Sequence, residues 1–130
     1  MRADAAGYYI YLPGLFHYDF KASKVDPDLA NRAGDGFILH HEKDRIITKY
    51  TYGVALCELP FHLIAEGIAG WGGEDQFSDT HHQCIELSAV FYWTLGLLLL
   101  GLAFQRLMPA SPWVALLTLI GVSFGSNVFF

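Results

Sequence analysis

The stretch LSAVFYWTLGLLLLGLAFQ, residues 87–105, decides the fold, because none of its 19 side chains is charged. A second uncharged run of 24 residues extends from Leu107 to Phe130, and Arg106 is the only charge after Glu86. A helix of about 20 apolar residues crosses the hydrocarbon core of a bilayer. A chain of 130 residues is too short to surround two such helices with protein. We therefore predict two transmembrane helices, at about residues 87–105 and 112–130.

The short connection between the two runs contains Arg106, Pro109 and Pro112. Proline interrupts a helix, so the connection is the turn of a predicted helical hairpin. The positive-inside rule places a turn that carries an arginine in the cytoplasm. Residues 1–86 carry 13 acidic and seven basic side chains, a net charge of −6, which fits the other side. We expect an integral protein of the inner (plasma) membrane with residues 1–86 as an extracytoplasmic loop and residues 87–130 as the hairpin.

The first residues have neither the basic region nor the apolar run of a signal peptide. An additional helix upstream would have to carry residues 1–86 across the membrane. We therefore expect that Met1 is not the natural start of the functional protein. Phe130 ends the chain inside an apolar run, so we expect a continuation there as well.

Two segments of different character precede the hydrophobic runs. Gly7 to Phe20 is aromatic and contains Pro13, which predicts a brief helix followed by a bend. Aromatic side chains at this density suit either a membrane–water interface or the interior of a small external domain, and the sequence leaves both open. Lys21 to Lys49 is polar and rich in turn signals, which predicts a loop with one helical turn at Leu29–Ala33.

The segment from Tyr50 to Trp71 is predicted to be an amphipathic helix. Glu58, His62 and Glu66 recur at intervals of four residues, so they share one helix face. An apolar set lies on another face, and it consists of Cys57, Phe61, Ile64 and Ile68. Because two carboxylates facing lipid are costly, we expect this helix to lie along the bilayer surface rather than to cross it.

Side chains that can bind metal give weak signals. The Glu58, His62 and Glu66 spacing suits a metal ion, but a solvated helix face gives the same pattern, and we favour the solvated face. His81 and His82 are neighbours and point in different directions on a helix, so we expect a surface loop or helix start there. We therefore assign no metal ligands.

Cys57 and Cys84 match no metal motif, and we expect two buried thiols rather than a disulfide. The sequence has no phosphate-binding loop, nucleophile elbow or zinc-protease motif, and no basic patch for nucleic acid. The acids and histidines are therefore the only candidate chemical groups.

Two stretches resemble a known family. The first, DAAGYYIYLP, runs from Asp4 to Pro13, and the second, KYTYGVAL followed by LPF, starts at Lys49. Together they resemble the first external loop of GT-C glycosyltransferases, particularly the bacterial RgtA/B/C/D-like enzymes, although Thr51 stands where proline is common. Smaller resemblances are Phe77-Ser78, Ala89-Val90-Phe91-Tyr92 and Gly125-Ser126-Asn127-Val128-Phe129-Phe130. The loop from Lys21 to Thr48 shows no such resemblance.

The resemblance implies transfer of a sugar from a polyprenyl-phosphate donor to an acceptor outside the cytoplasm. The family's catalytic aspartate would correspond to Asp4, either as a general base or beside a divalent cation that binds the donor phosphate. Tyr8, Tyr9, Lys49 and Glu58 would be substrate-binding residues. Membrane lipids and the lipid-linked donor are the implied partners.

These observations predict an all-α membrane protein in which interfacial helices and a loop precede a two-helix hairpin, as a partial GT-C fold. The chain would cover about the first quarter of such an enzyme, so we expect no catalysis by it alone. Two alternatives stay open: a small non-enzymatic membrane protein whose external segment binds a partner, and a structural subunit of a larger membrane complex.

Overall fold

A computed structural model describes residues 3–71, 75–107 and 112–125 of the chain. The described part is mostly helical, and it divides into two compact units at Ser88 and Ala89. The predicted turn at residues 108–111 and the last five residues of the second predicted span lie outside the described residues.

The aromatic stretch near the start forms a broken helix, as predicted. Helix α1 covers Ala3–Tyr9 and helix α2 covers Tyr11–Pro13, and a π-helical turn follows at Gly14–Tyr18. The chain then reverses through Asp19 and Phe20, which have positive φ angles of 51° and 57°. Residues other than glycine rarely adopt this conformation, so two in succession mark a sharp bend. The bend ends the π-helical turn and sets the direction in which the chain leaves it.

The polar segment that follows contains more structure than the sequence predicts. Helix α3 covers Pro27–Ala33, and the Asp26 side chain caps it by accepting a hydrogen bond from the backbone N–H of Asp28 at 2.9 Å. Strands β1 (Ile38–His40) and β2 (Arg45–Ile47) form an antiparallel hairpin. Strands of three residues are too short to show an alternating pattern, so the loop prediction missed them. Short 3₁₀ turns complete the segment at Ala22–Lys24, Gly34–Gly36 and His41–Lys43.

Helix α1 contributes to both hydrophobic clusters of the first unit. Ala6 and Ile10 pack against α3 and the residues around it, with Val25, Leu29, Ala33 and Phe37. Tyr9 packs on a different side of the same segment, with Leu12, Ala55 and Ile85. The first unit is therefore a packed domain, which is one of the two environments that the aromatic density allowed.

Helix α4 covers Gly53–Ala69 and includes Pro60 without interruption. The two faces separate as predicted, but the expectation of a solvated polar face is wrong. Glu58, His62 and Glu66 are all buried against the rest of the unit. The opposite face is exposed and apolar, and it presents Leu56, Cys57, Leu63, Ile64 and Ile68. This helix is therefore polar towards its own domain and apolar towards the outside.

Helix α5 covers Asp79–Leu107, so it begins eight residues before the predicted span. Its 29 residues extend over about 43 Å, and it is long and apolar enough to cross a membrane. Helix α6 covers Pro112–Gly125. Its 14 described residues extend over about 21 Å, and the two-helix hairpin stays a prediction.

The two cysteines are free thiols. Cys84 is half-buried, but Cys57 lies exposed on the apolar face of α4, so the expectation of two buried thiols is wrong for Cys57. Exposure of a thiol on a helix face that is otherwise aliphatic is consistent with its behaviour as a small apolar side chain.

Candidate functional site

Three of the predicted site residues meet around Tyr50. The Tyr50 hydroxyl donates a hydrogen bond to Asp4 Oδ1. The Tyr8 ring packs against the Tyr50 ring with a centroid separation of 4.5 Å, and Lys49 Nζ lies 5.2 Å from the centroid of the Tyr50 ring. We call Asp4, Tyr8, Lys49 and Tyr50 the Asp4 surface. It brings a carboxylate and an ammonium group together on the exterior of the first unit.

Hydrogen bonds from neighbouring side chains to its backbone hold Tyr50 in place within this surface. Tyr11 donates a hydrogen bond from its hydroxyl to the Tyr50 carbonyl at 2.6 Å. Thr48 Oγ1 donates to the Gly7 carbonyl at 2.9 Å, and it accepts a hydrogen bond from the Tyr50 N–H at 3.3 Å. The stretch from Asp4 to Pro13 and the stretch that starts at Lys49 are thus joined directly, although about 40 residues separate them in the chain.

Hydrogen bonds within the Asp4 surface favour the protonated forms of Tyr50 and Lys49. The hydrogen bond to Asp4 is the main cause that raises the pKa of Tyr50, so its phenol keeps its proton. A hydrogen bond with Tyr50 is likewise the main cause that raises the pKa of Lys49. At neutral pH the surface therefore offers a cationic ammonium and a phenol that donates to a carboxylate.

A groove of about 400 Å³ adjoins the Asp4 surface. It shares Tyr11 and Thr48 with the contacts that hold Tyr50. Its lining combines basic with apolar and aromatic side chains, and it includes His40, Lys43, Arg45, Ile10, Ile46 and Phe20. Such a lining suits a ligand with an anionic head and an apolar chain.

Tyr9 and Glu58, the other two predicted substrate-binding residues, are buried. The Tyr9 hydroxyl donates to the Gln76 carbonyl at 3.0 Å and lies 2.9 Å from His62 Nδ1, and burial is the main cause that raises the pKa of Tyr9. Glu58 Oε2 has no hydrogen-bond partner among the described residues, and burial raises the Glu58 pKa to about 7. The structure therefore places both residues in the interior rather than on the Asp4 surface.

A second group of polar side chains lies inside the unit. Three histidine Nε2 atoms surround one carboxylate oxygen, Glu66 Oε1, at 2.9 Å for His17, 3.3 Å for His81 and 3.8 Å for His62. We call these four residues the Glu66 cluster. Glu66, His62 and His81 are at most 1% exposed. His81 and His82 lie in the first turn of α5, which is the helix start that the sequence offered as one alternative to a surface loop. His81 is buried there, while its neighbour His82 turns outward and pairs with Glu86.

The Glu66 cluster is enclosed by aromatic rings. Phe16 stacks on His62 with ring centroids 5.6 Å apart, and Trp71 contacts His17 at 5.7 Å. Burial is the main cause that lowers the pKa of His62 to about 4, so its imidazole is neutral at physiological pH. This environment combines several metal-binding atoms with little access to water.

Local spacing in the sequence identifies only two of the four residues of this cluster. The spacing of His62 and Glu66 placed them on one helix face, but His17 and His81 come from the π-helical turn and from the start of α5. No local spacing connects these segments. No sequence signal points to these two histidines, because His17 is the single histidine of the aromatic stretch and His81 is one of two adjacent histidines in the first turn of α5.

The buried carboxyl group of Glu58 gives a testable pH dependence. Its ordinary pKa is 4.5 and its folded value is about 7, so between these pH values the folded state binds more protons than the unfolded state. Stability contributed by this proton is present at low pH and is lost as the pH rises through about 7. Glu58→Gln removes the titration. From pH 5 to pH 8, we expect the stability of the variant relative to the unaltered chain to rise by about 1–2 kcal/mol, after allowance for solvent screening.

Chemical unfolding of the detergent-solubilised chain at both pH values measures this difference. Glu42→Gln, at an exposed position, is the matched control and should leave the pH profile unchanged. Identical profiles for the unaltered chain and Glu58→Gln would show that the Glu58 carboxyl group is solvated.

Comparison of the chain with protein-family models, with curated proteins and with solved structures finds no match.

Proposed function

We propose that this chain forms part of a membrane glycosyltransferase that takes a sugar from a lipid-phosphate donor and transfers it to an extracytoplasmic acceptor. One observation carries the proposal: Asp4 and Lys49, which belong to two separate stretches that resemble GT-C enzymes, meet on Tyr50. The contact places one group from each stretch at a single surface. The transfer itself would require parts of the protein beyond those that this chain supplies.

The Asp4 surface offers suitable chemistry for this reaction. The Asp4 carboxylate would take the proton of the acceptor hydroxyl as general base, or would bind a divalent cation beside the donor phosphate. Lys49 would attract the phosphate, and the basic and apolar groove beside it would hold the head of the donor and the first part of its chain. Each role uses a group that lies at or beside the same surface.

The position of the donor in the membrane also fits. Helix α5 is long and apolar enough to cross a bilayer, and the exposed face of α4 is apolar. A lipid-linked donor keeps its head group at the bilayer surface, so a site on a unit tied to such a helix can reach it. We propose the extracytoplasmic side on the basis of the charge distribution, and the predicted position of α4 along the bilayer surface stays a prediction.

A photoreactive polyprenyl-phosphate sugar added to the outer leaflet of spheroplasts tests this function. We expect it to label the chain near Lys49, and we expect Lys49→Ala to weaken labelling about tenfold, because a charged hydrogen bond contributes about 1.5 kcal/mol or more. Lys21→Ala, which alters another exposed lysine of the same unit outside the groove, is the matched control and should label normally.

Two results would count against the proposal. Labelling that is confined to inverted vesicles would place the site in the cytoplasm. Absence of specific labelling from either side would favour the alternative of a small membrane protein that binds a partner.

A further inference from the structure

We propose that the Glu66 cluster is a binding site for a divalent transition-metal ion of the zinc class, with His17, His62 and Glu66 as ligands and His81 as the fourth. This inference is independent of the proposed glycosyl transfer. It concerns groups that are buried inside the first unit, whereas the Asp4 surface is outside.

The distances within the cluster fit a metal centre. One ligand atom each from His17, His62 and Glu66 lies within 4.8 Å of the other two. Zinc binds imidazole nitrogen and carboxylate oxygen at about 2.0–2.2 Å, so two ligand atoms of a tetrahedral site lie roughly 3.4 Å apart. The separations from Glu66 Oε1, between 2.9 and 3.8 Å, bracket this value. Small side-chain rotations would therefore complete the coordination.

The hydrogen bonds of Tyr9 determine which nitrogen of His62 is free. The Gln76 carbonyl can only accept, so Tyr9 uses its single hydrogen there. The contact of 2.9 Å between the Tyr9 hydroxyl and His62 Nδ1 then requires that Nδ1 carries a hydrogen and donates it. In a neutral imidazole the other nitrogen, Nε2, has a lone pair.

That lone pair is the observation that points to a cation. His62 Nε2 is completely buried, has no hydrogen-bond partner within residues 3–71, 75–107 and 112–125, and lies 3.8 Å from Glu66 Oε1. A lone pair that faces a carboxylate oxygen in a dry interior is unfavourable. A metal ion bound to both atoms turns this arrangement into an attractive one.

The groups around the cluster are those of a metal centre. Ligating histidines usually hydrogen-bond through their second nitrogen, which fixes the ring orientation. His62 does so to Tyr9 and His81 does so to Ser78 Oγ, both at 2.9 Å. Phe16 and Trp71 supply an apolar surround that limits access of water. Imidazoles with one carboxylate favour zinc and its neighbours over magnesium or calcium, which prefer oxygen ligands.

The ion would join three segments that the sequence separates. His17 lies in the π-helical turn, His62 and Glu66 lie on α4, and His81 lies in the first turn of α5. Metal binding in such a site contributes directly to folding. We therefore assign the ion a structural role that fixes the aromatic segment against the start of the long helix.

Metal binding by the unaltered chain is the first test, and it needs no variant. The chain is freed of its purification tag, treated with a chelator and titrated with Zn²⁺ and with Co²⁺. We expect one ion per chain by elemental analysis, the visible absorption of tetrahedral Co²⁺, and a higher unfolding midpoint with Zn²⁺. A chain that takes up neither ion, and whose unfolding midpoint does not respond to them, overturns the proposal.

Variants then assign the ligands. We expect His62→Gln and Glu66→Gln to weaken Zn²⁺ binding about 100-fold or more, and Ser78→Ala to weaken it about tenfold, because Ser78 only orients His81. His82→Gln, which alters the outward-facing neighbour of His81, is the matched control and should bind normally. Undiminished binding by both His62→Gln and Glu66→Gln would show that the ion binds elsewhere. If neither variant folds, the Co²⁺ spectrum of the unaltered chain decides between a site with nitrogen ligands and no site.

Discussion

Replacement of Asp4 by Asn is expected to lower sugar transfer by about 10²- to 10⁴-fold, the usual loss when a general base is removed. The measurement uses a multi-spanning enzyme with the same Asp-x-x-Gly-Tyr-Tyr stretch and a lipid-linked donor, because we expect the 130-residue chain to be inactive in either form. Asn has the same shape as Asp, and its side-chain oxygen can still accept the hydrogen bond that Tyr50 donates to Asp4. The variant therefore retains the structure and loses only the basicity and the charge.

Two control variants separate chemistry from positioning. Tyr50→Phe keeps the ring that packs on Tyr8 but removes the hydrogen bond to Asp4, so we expect a smaller loss of about tenfold. The second control replaces by Asn an exposed aspartate of that enzyme outside the two stretches, comparable to Asp19 in this chain, and transfer should change little. Near-normal transfer by the Asp4→Asn enzyme would remove the reason to regard Asp4 as catalytic. A loss in protein accumulation rather than in activity would instead indicate a structural role.

Three residues of the Asp4 surface could be named from the sequence, but their contacts could not. The resemblance singles out Asp4, Tyr8 and Lys49, and the structure brings the three together around Tyr50. Their role in binding a substrate stays a prediction. Tyr50 lies in the same stretch as Lys49, but only the structure shows that it joins the other three. Contacts between residues about 40 positions apart depend on tertiary packing, which local patterns do not encode.

The error about helix α4 has a physical origin. Periodicity separated its polar and apolar faces correctly, but it could not show which face contacts the rest of the protein. In a water-soluble domain the apolar face would be the buried one. In this chain His62 and Glu66 are at most 1% exposed, whereas Ile68 on the other side is 69% exposed. Polar side chains inside and apolar ones outside are the arrangement expected of a helix that contacts lipid.

The missed strands and the missed histidines share one cause. Strands β1 and β2 have three residues each, and the Glu66 cluster draws single residues from distant segments. Sequence patterns are informative when several residues repeat a spacing, as they do in α5. A lone histidine in an aromatic stretch repeats nothing, so its role emerges only from the fold.

Gly7→Ala is expected to destabilise the first unit by about 1–3 kcal/mol or more, the usual cost of forcing an extra group into a packed interior. An added Cβ would lie 2.2 Å from the Tyr50 ring and 2.4 Å from the Gly36 carbonyl oxygen. The ring can turn aside, but the carbonyl belongs to the backbone of the turn at Gly34–Gly36 and cannot. Helix α1 would therefore have to move away from that turn, and Asp4 would move with it.

Thermal unfolding of the detergent-solubilised chain should show a midpoint lowered by on the order of 5–20 °C. The matched control is Gly67→Ala, at a glycine inside α4 whose Cβ would meet nothing within 4 Å. Because alanine favours the helix over glycine, this variant should be more stable by about 0.5–1 kcal/mol. Donor labelling should fall with Gly7→Ala even below its unfolding midpoint, since the displaced helix separates Asp4 from Tyr50. A Gly7→Ala chain as stable as the unaltered one would mean that α1 does not pack on the Gly34–Gly36 turn.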